Sequence, residues 1–402
     1  MRIAVFSPLN PMQSGISDFT EEVVLKLREH IYIDLFVDGY IPENPDIVKN
    51  FTVYNFEDIE DPEIRKQYDH IIYHVGNHEK NHGKIVDYCL KYPGIIELHD
   101  YTLQHLLAEM TLTKYQYIAY VLIMLYCHGE KGEAAARNFI SYRTKEPWLY
   151  QAMEFPVNKH ILEKATGIIV HSDYVKQLVK DMRLEAPVEK ISIHSNDIIE
   201  DYEAHQIECR IKLGIDTECI IFASFGHATP NKRINEILEA LSLLKRKDAD
   251  FKYYIVGEPG IDNIEKKLEE TDLSDRVHIT GHVPMEKFLD HMGACDICFN
   301  LRYPTQGESS ASLHRALGMG KPVFVTKIGS FNEYPDNTVV KIDADENEVQ
   351  SIYKELQRLM TSDNEIQKRK VNSIKYIKEN CSLEKNCIKY TKFLREIYGE
   401  KN

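Results

Sequence analysis

The strongest constraint on this chain is an alternation. Short β-branched or aromatic runs separate longer stretches whose apolar residues recur at helical spacing. In the first half the runs are RIAVFS (2–7), YIDLFV (32–37), HIIYHV (70–75), GIIEL (94–98), GIIVH (167–171) and KISIH (190–194). In the second half they are CIIFASFG (219–226), FKYYIVG (251–257), RVHITG (276–281), ACDICFNL (294–301), KPVFVT (321–326) and TVVKI (338–342). Near-continuous apolar strands between helices predict parallel sheets covered on both faces. The strand–loop–helix pattern that opens the chain restarts at IIFASFG, after a polar, turn-prone stretch at 196–218. The expectation is two doubly wound domains, 1–200 and 201–379. An amphipathic helix over 380–402, with Leu383, Cys387, Tyr390, Leu394 and Ile397 on one face, is expected to pack back on the first domain. Ligands of such sheets bind at the C-terminal ends of the strands, so an interdomain cleft is the expected site.

A chain of 402 residues is long enough for two such cores. The net charge of −14 argues against nucleic acid as a partner and against adhesion to anionic lipid, both of which need clustered Lys and Arg. No run reaches the ~20 apolar residues of a membrane span. The most apolar stretch, YIAYVLIMLYC (117–127), is expected to be a buried helix. MRIAVFSPLN enters a strand directly, without the pattern of a signal peptide, so the expected location is cytoplasmic. The eight cysteines are scattered; Cys295 and Cys298 form a CxxC inside a strand and read as core residues.

The chemistry-bearing residues cluster at strand ends. After the first strand, Ser14-Gly15-Ile16 precedes a helix, where free N–H groups can meet an anion or a hydroxyl. The competing reading is a plain turn capped by Ser17 or Asp18. No G-x-G-x-x-G follows, so no dinucleotide cofactor is indicated. His99-Asp100 ends another strand; His99 is placed to bond a sugar or phosphate or to polarise a reacting group. At HVGNHEKNHG (74–83), Asn77 reads as a ligand contact, and His78 and His82 have the spacing of a metal pair without a third ligand. Lys232-Arg233 stands at a helix start, either as an anion site or as a solvated basic pair.

TQGESSASLHRALGMGKPVFVT (305–326) reads loop, helix, strand. Ser309, Ser310, Ala311 and Ser312 are expected to form the first helical turn, small enough to admit a phosphate against exposed N–H groups. A carboxylate repels phosphate, so Glu308 suits sugar hydroxyls, or else the segment simply caps its helix. Together these residues suggest a diphosphate carrying a sugar, its charge met by Lys232.

At this point the sequence resembles the retaining glycosyltransferases of family 4. The resemblance rests on SPLNPMQSGISDF, ELHDYTLQHLL, MLYCHGEKGEAAARNF, ATGIIVHSDYV, SFGHATPNKRINEILEAL, ITGHVP, NLRYPTQGESSASLHRALGMGKPVFVT and IGSFNEYPDN, in that order over nearly the whole chain. It implies the GT-B fold of two facing Rossmann-like domains. It also implies sugar transfer from a nucleotide diphosphate sugar to a glycan, protein or lipid-linked acceptor, with retention at the anomeric carbon. By that similarity Ser14, Gly15 and Ile16 form the acceptor-side loop and His99 lies near the donor sugar. Lys232 binds phosphate, and Ser309 to Ser312 underlie the diphosphate. Two positions depart from the family's E-x7-E: the first glutamate aligns with Gly307, with Glu308 one step later, and the second is Arg315. The usual basic residue of the phosphate loop is His227, and Arg302 is a candidate replacement charge. Asp248-Ala249-Asp250 and Asp343-Ala344-Asp345 read as a turn and a cap rather than a metal site, so no metal and no cofactor are expected. An inactive nucleotide-sugar- or partner-binding protein, and an epimerase or phosphorylase, are the alternatives on this fold.

Overall fold

The computed structural model describes residues 1–261 and 263–400. They divide into two compact units. The first comprises Met1–Ile193, Gln306–Ser309 and the C-terminal segment from Leu383; the second comprises His194–Thr305 and Ser310–Ser382.

The first unit is built on a seven-stranded sheet of order β3-β2-β1-β4-β5-β6-β7. Its strands are β1 (Arg2–Phe6), β2 (Tyr32–Val37), β3 (Thr52–Asn55), β4 (His70–Val75), β5 (Ile95–Leu98), β6 (Gly167–Val170) and β7 (Val188–Lys190). All pairings are parallel, with Ile3 beside both Ile33 and His70. Phe6 stacks on Phe36 with ring centroids 4.7 Å apart and lies against Phe56 and Tyr73, an aromatic cluster that shares its core with the aliphatic Val75, Ile96, Ile168 and Val170. The C-terminal helix Leu383–Glu400 belongs to this unit. Cys387, Tyr390, Leu394 and Ile397 are buried, the carbonyl of Leu394 lies 2.9 Å from Nε2 of His70, and Asn386 donates to the carbonyl of Ser192. Residues 401–402 of the expected helix lie outside the described residues.

The second unit has a six-stranded sheet of order β10-β9-β8-β11-β12-β13. Its strands are β8 (Ile220–Phe225), β9 (Phe251–Val256), β10 (Val277–Gly281), β11 (Ile297–Asn300), β12 (Val323–Thr326) and β13 (Val339–Ile342), again all parallel. Phe222, Phe251, Tyr253, Phe299 and Phe324 form its aromatic centre. Cys295 and Cys298 are buried free thiols with sulfurs 3.2 Å apart.

Four local expectations are corrected. The expected strand KISIH gives way to β7 two residues earlier; from Ile191 the chain leaves the sheet after one bond to the carbonyl of Val170. β3 is an additional strand, short and half-exposed at the sheet edge, where little burial marks the sequence. The apolar stretch 117–127 is not buried throughout. It opens the helix Tyr117–Ile140, which buries Tyr120, Val121 and Met124 but leaves Ile118 77 % and Leu122 56 % exposed. The boundary falls after Ile193 rather than after residue 200, because Ser195 and Ile199 donate to the carbonyls of Cys381 and Gly318. Among the described residues no helix is long and apolar enough to cross a membrane.

Candidate functional site

In each sheet the strand order reverses once beside the first strand: between β1 and β4, and between β8 and β11. Loops leaving the C-terminal ends of such a pair diverge to opposite faces and open a crevice, which is where doubly wound sheets bind ligands. Ser14, Asn77, Lys232 and Arg302 follow the strands that flank these two places, whereas His99 and Asp100 follow the next strand, β5.

In the second unit, β8 runs into Gly226, the short 3-10 turn Pro230–Lys232 and the helix Ile234–Lys245. Gly226 has φ +78°, and a Cβ there would lie 3.0 Å from the Lys232 amine. The amine donates to the carbonyl of Phe225 at 2.6 Å. Burial first, and the nearby Arg302 guanidinium second, hold the Lys232 pKa well below that of an ordinary lysine. Arg302 follows β11; it is buried, donates through Nη1 to the carbonyl of Leu301 at 2.8 Å, and is anchored by its own N–H on Thr326. Two cations are thus packed closely enough to repel, which an arriving anion would relieve. The basic pair expected at 232–233 splits. Arg233 turns away to pair with Glu348 and Glu236, whereas Lys232 points back to the end of β8. His227 is exposed, beside Gly260.

The helix Ala311–Gly318 begins two residues later than expected. Ser310 is its N-cap, accepting from the N–H of Leu313 at 3.3 Å, and Ser309 lies in the preceding loop with the first unit. The displacement follows from chemistry at β11: the Ser310 hydroxyl also donates to Oδ1 of Asn300 at 3.0 Å, and Ser312 Oγ lies 3.1 Å away. The Asn300 side-chain amide nitrogen is buried and has no acceptor among the described residues. Sequence reasoning missed Asn300, and its signal was only its position as the last residue of a strand. Arg315 pairs with Asp197, which fixes segment 194–200 to this unit.

In the first unit, Ser14 caps the helix Gly15–Leu27 by accepting from the N–H of Ile16, so neither Ser17 nor Asp18 is the cap. A Cβ on Gly15 would meet nothing, so this glycine is not required by space; Gly76 is, since a Cβ there would lie 2.7 Å from the side chain of Ile16. Asn77 is committed to structure. Its amide nitrogen donates to Gln306 at 3.2 Å, its side-chain oxygen accepts from the N–H of Leu106, and its own N–H donates to Asp100. Burial pushes Asp100 up to about 6 against that last bond, and Glu308 adds to the rise. Glu308 accepts from the N–H of Gln306 at 2.6 Å. Of the expected metal-spaced pair, His82 is buried and its Nδ1 meets the carbonyl of His74, while His78 precedes the helix Glu79–Lys91 without a capping bond.

His99 is buried, and both its ring nitrogens are engaged: Nε2 lies 3.0 Å from Nδ1 of His74 and Nδ1 lies 3.1 Å from Nε2 of His171. His74, Glu97 and His99 bring ligand atoms within 4.8 Å of one another, the spacing of a metal site. Glu97 approaches Nε2 of His74, however, whereas His99 approaches Nδ1 of the same ring, so one ion could not take both contacts through that imidazole.

Two Rossmann-like domains of this order, with the last helix returned to the first, form the GT-B fold, which solved structures share along their whole length. A sucrose-phosphate synthase from Thermosynechococcus elongatus matches with TM-score 0.68 at 14% identity, covering 100% of each chain. The Anabaena protein HepE, in complex with UDP and glucose, matches with TM-score 0.67 at 13% identity, over 98% of this chain and 100% of that one. WaaG, a glycosyltransferase involved in lipopolysaccharide biosynthesis, gives 0.61 at 13% identity, over 98% and 99%. At such identities the likeness establishes the fold. No curated protein matches the sequence. Residues 206–380, in the second unit, match the family model for glycosyl transferases group 1.

Proposed function

We propose that this protein is a retaining, metal-independent glycosyltransferase. It moves a sugar from a nucleotide diphosphate sugar to a hydroxyl of a glycan, protein or lipid-linked acceptor. The observation that carries the reading is the set of groups at the β8/β11 crevice. Burial and the Arg302 guanidinium disfavour the charge on Lys232, and the Ser310-capped helix start and the Asn300 amide, which has no acceptor among the described residues, lie at the end of the neighbouring strand. A diphosphate brings negative charge to Lys232 and acceptor oxygens to the helix N–H groups and the Asn300 amide. The related fold HepE is described in complex with UDP-glucose, a donor of this class.

Departure of the leaving group gathers negative charge on the nucleoside diphosphate. Lys232 and the helix N–H groups stabilise that charge more in the transition state than in the ground state, which is the condition for acceleration. The acceptor hydroxyl attacks from the leaving-group face and its proton passes to the departing phosphate, so no side-chain base is needed and the anomeric configuration is kept. Glu308 serves the sugar hydroxyls. His99 and Asp100, at the end of β5, belong to the acceptor-side half with the Ser14–Ile16 loop.

The test is the product. Anomeric proton couplings of the transferred sugar, measured by NMR on early product, are expected to show the donor's own configuration, and the rate is expected to be unchanged in excess EDTA. An inverted product would contradict the proposed attack, and abolition by EDTA with restoration by one divalent cation would contradict the metal-free leaving group.

A further inference from the structure

The buried histidines beneath His99 form a chain whose direction can be read from one end. Nδ1 of His171 lies 2.8 Å from the carbonyl oxygen of Ile191, which can only accept, so that nitrogen carries a proton. In a neutral ring Nε2 of His171 is then an acceptor, and it faces Nδ1 of His99 at 3.1 Å, so His99 is protonated on Nδ1. The same step repeats: Nε2 of His99 accepts from Nδ1 of His74 at 3.0 Å. His74 therefore turns a lone pair on Nε2 toward Oε2 of Glu97, 3.6 Å away. An ionised carboxylate there would set negative charge against a lone pair inside the core, whereas a protonated one turns an O–H toward that lone pair across 3.6 Å. The other carboxyl oxygen, Oε1, accepts from the hydroxyl of Tyr390 on the C-terminal helix.

We infer that Glu97 is held as the neutral carboxylic acid and that, with Tyr390, it is a positioning residue that fixes His99 in the Nδ1-protonated tautomer. Other groups face the chain: Thr20 Oγ1 lies 3.3 Å from Nδ1 of His74, and Oε1 of Glu97 stands 3.8 Å from Nε2 of His171. Burial acts in the same direction, pushing Glu97 up to about 8 against the Tyr390 bond, and pulling His74 down to about 3. The consequence is that His99 is a neutral ring with both nitrogens committed inside the chain, so it meets a ligand through its C–H edge or ring face and neither as an imidazolium nor as an N–H donor. That consequence rests on the reading of His99 as substrate-facing; the tautomer does not.

The test is a long-range 1H–15N correlation spectrum of full-length protein labelled in the imidazole nitrogens, at pH 7, with single His→Asn variants used for assignment. The expected result is pyrrole-type Nδ1 and pyridine-type Nε2 for His74, His99 and His171. Glu97→Gln, whose amide donates where the acid O–H did, is expected to leave all of these tautomers in place. Glu97→Ala is expected to move His74 and His99 toward the other tautomer and to lower kcat by about 10-fold or more, with rescue by Gln. An imidazolium at His171 or an Nε2-protonated His74 in the wild type would overturn the inference, as would one equivalent of tightly bound metal ion by elemental analysis. Correct tautomers without glycosyl transfer would instead overturn the functional reading and leave this one standing.

Discussion

Replacing Lys232 by alanine is expected to lower kcat by about 100- to 1,000-fold, the loss typical of removing one donor aimed at developing charge. The amine is held on the carbonyl of Phe225, in a place where Gly226 leaves room for it and Arg302 repels it. A diphosphate would supply the counter-charge, so binding should draw the Lys232 pKa back toward its ordinary range. The sign follows: the pKa is depressed in the free protein and raised in the complex, so proton uptake accompanies binding. Donor affinity should therefore weaken as pH rises through the free-protein pKa, and this pH dependence should vanish in Lys232→Ala. Lys232→Arg is expected to recover little, because a planar guanidinium cannot occupy the place of an amine seated on one carbonyl. Steady-state kinetics with donor varied across pH check all three. A variant with unchanged kcat would remove Lys232 from the leaving-group site.

Gly307→Ala should lower the stability of the protein by about 2–4 kcal/mol, the combined scale of a non-glycine residue in left-handed backbone and of a core clash. Gly307 has φ +73°, and a Cβ there would lie 2.5 Å from Cβ of Tyr101, whose ring is buried. That contact sits beside the bond from the N–H of Thr102 to the carbonyl of Gln306, which ties the 306–309 loop to the end of β5. The substitution should therefore also disorder Glu308. Urea unfolding should show a reduced midpoint at unchanged slope, and a loss below about 0.5 kcal/mol would mean the loop relaxes freely. This also explains the departure at the first glutamate of the family pattern. The chain has no room for a side chain at 307, and the carboxylate appears one residue later.

The sheets were legible because buried parallel strands are apolar on both faces, so eleven of the runs coincide with strands of the structure. The edge strand β3 was not, since a half-exposed strand carries little apolar signal. The helix Tyr117–Ile140 misled in the opposite sense: apolar residues all round suggest burial, and the helix covers only one face. Lys232 and Ser310 stand out as candidates in the sequence because strand–loop–helix turns with cations and small hydroxyls have a chemical reading. Asn300, Glu97, His171 and Tyr390 were not, because their meaning comes from neighbours distant in the chain. Glu97 meets Tyr390 across 293 positions, and a single buried glutamate in IIEL gives no sign of a partner. Arg233 likewise looked equivalent to Lys232 until Glu348 was seen to claim it.

The central claim is that the β8/β11 crevice binds a nucleotide diphosphate sugar. Isothermal titration of the purified protein with UDP-, GDP- and dTDP-glucose in EDTA tests it most directly, with Lys232→Ala alongside. One nucleotide sugar should bind at one site per chain with micromolar affinity, and that binding should fall at least about 10-fold in the variant. Absence of heat with all three, from protein shown to be folded by circular dichroism, would contradict the claim, as would equal binding by the variant.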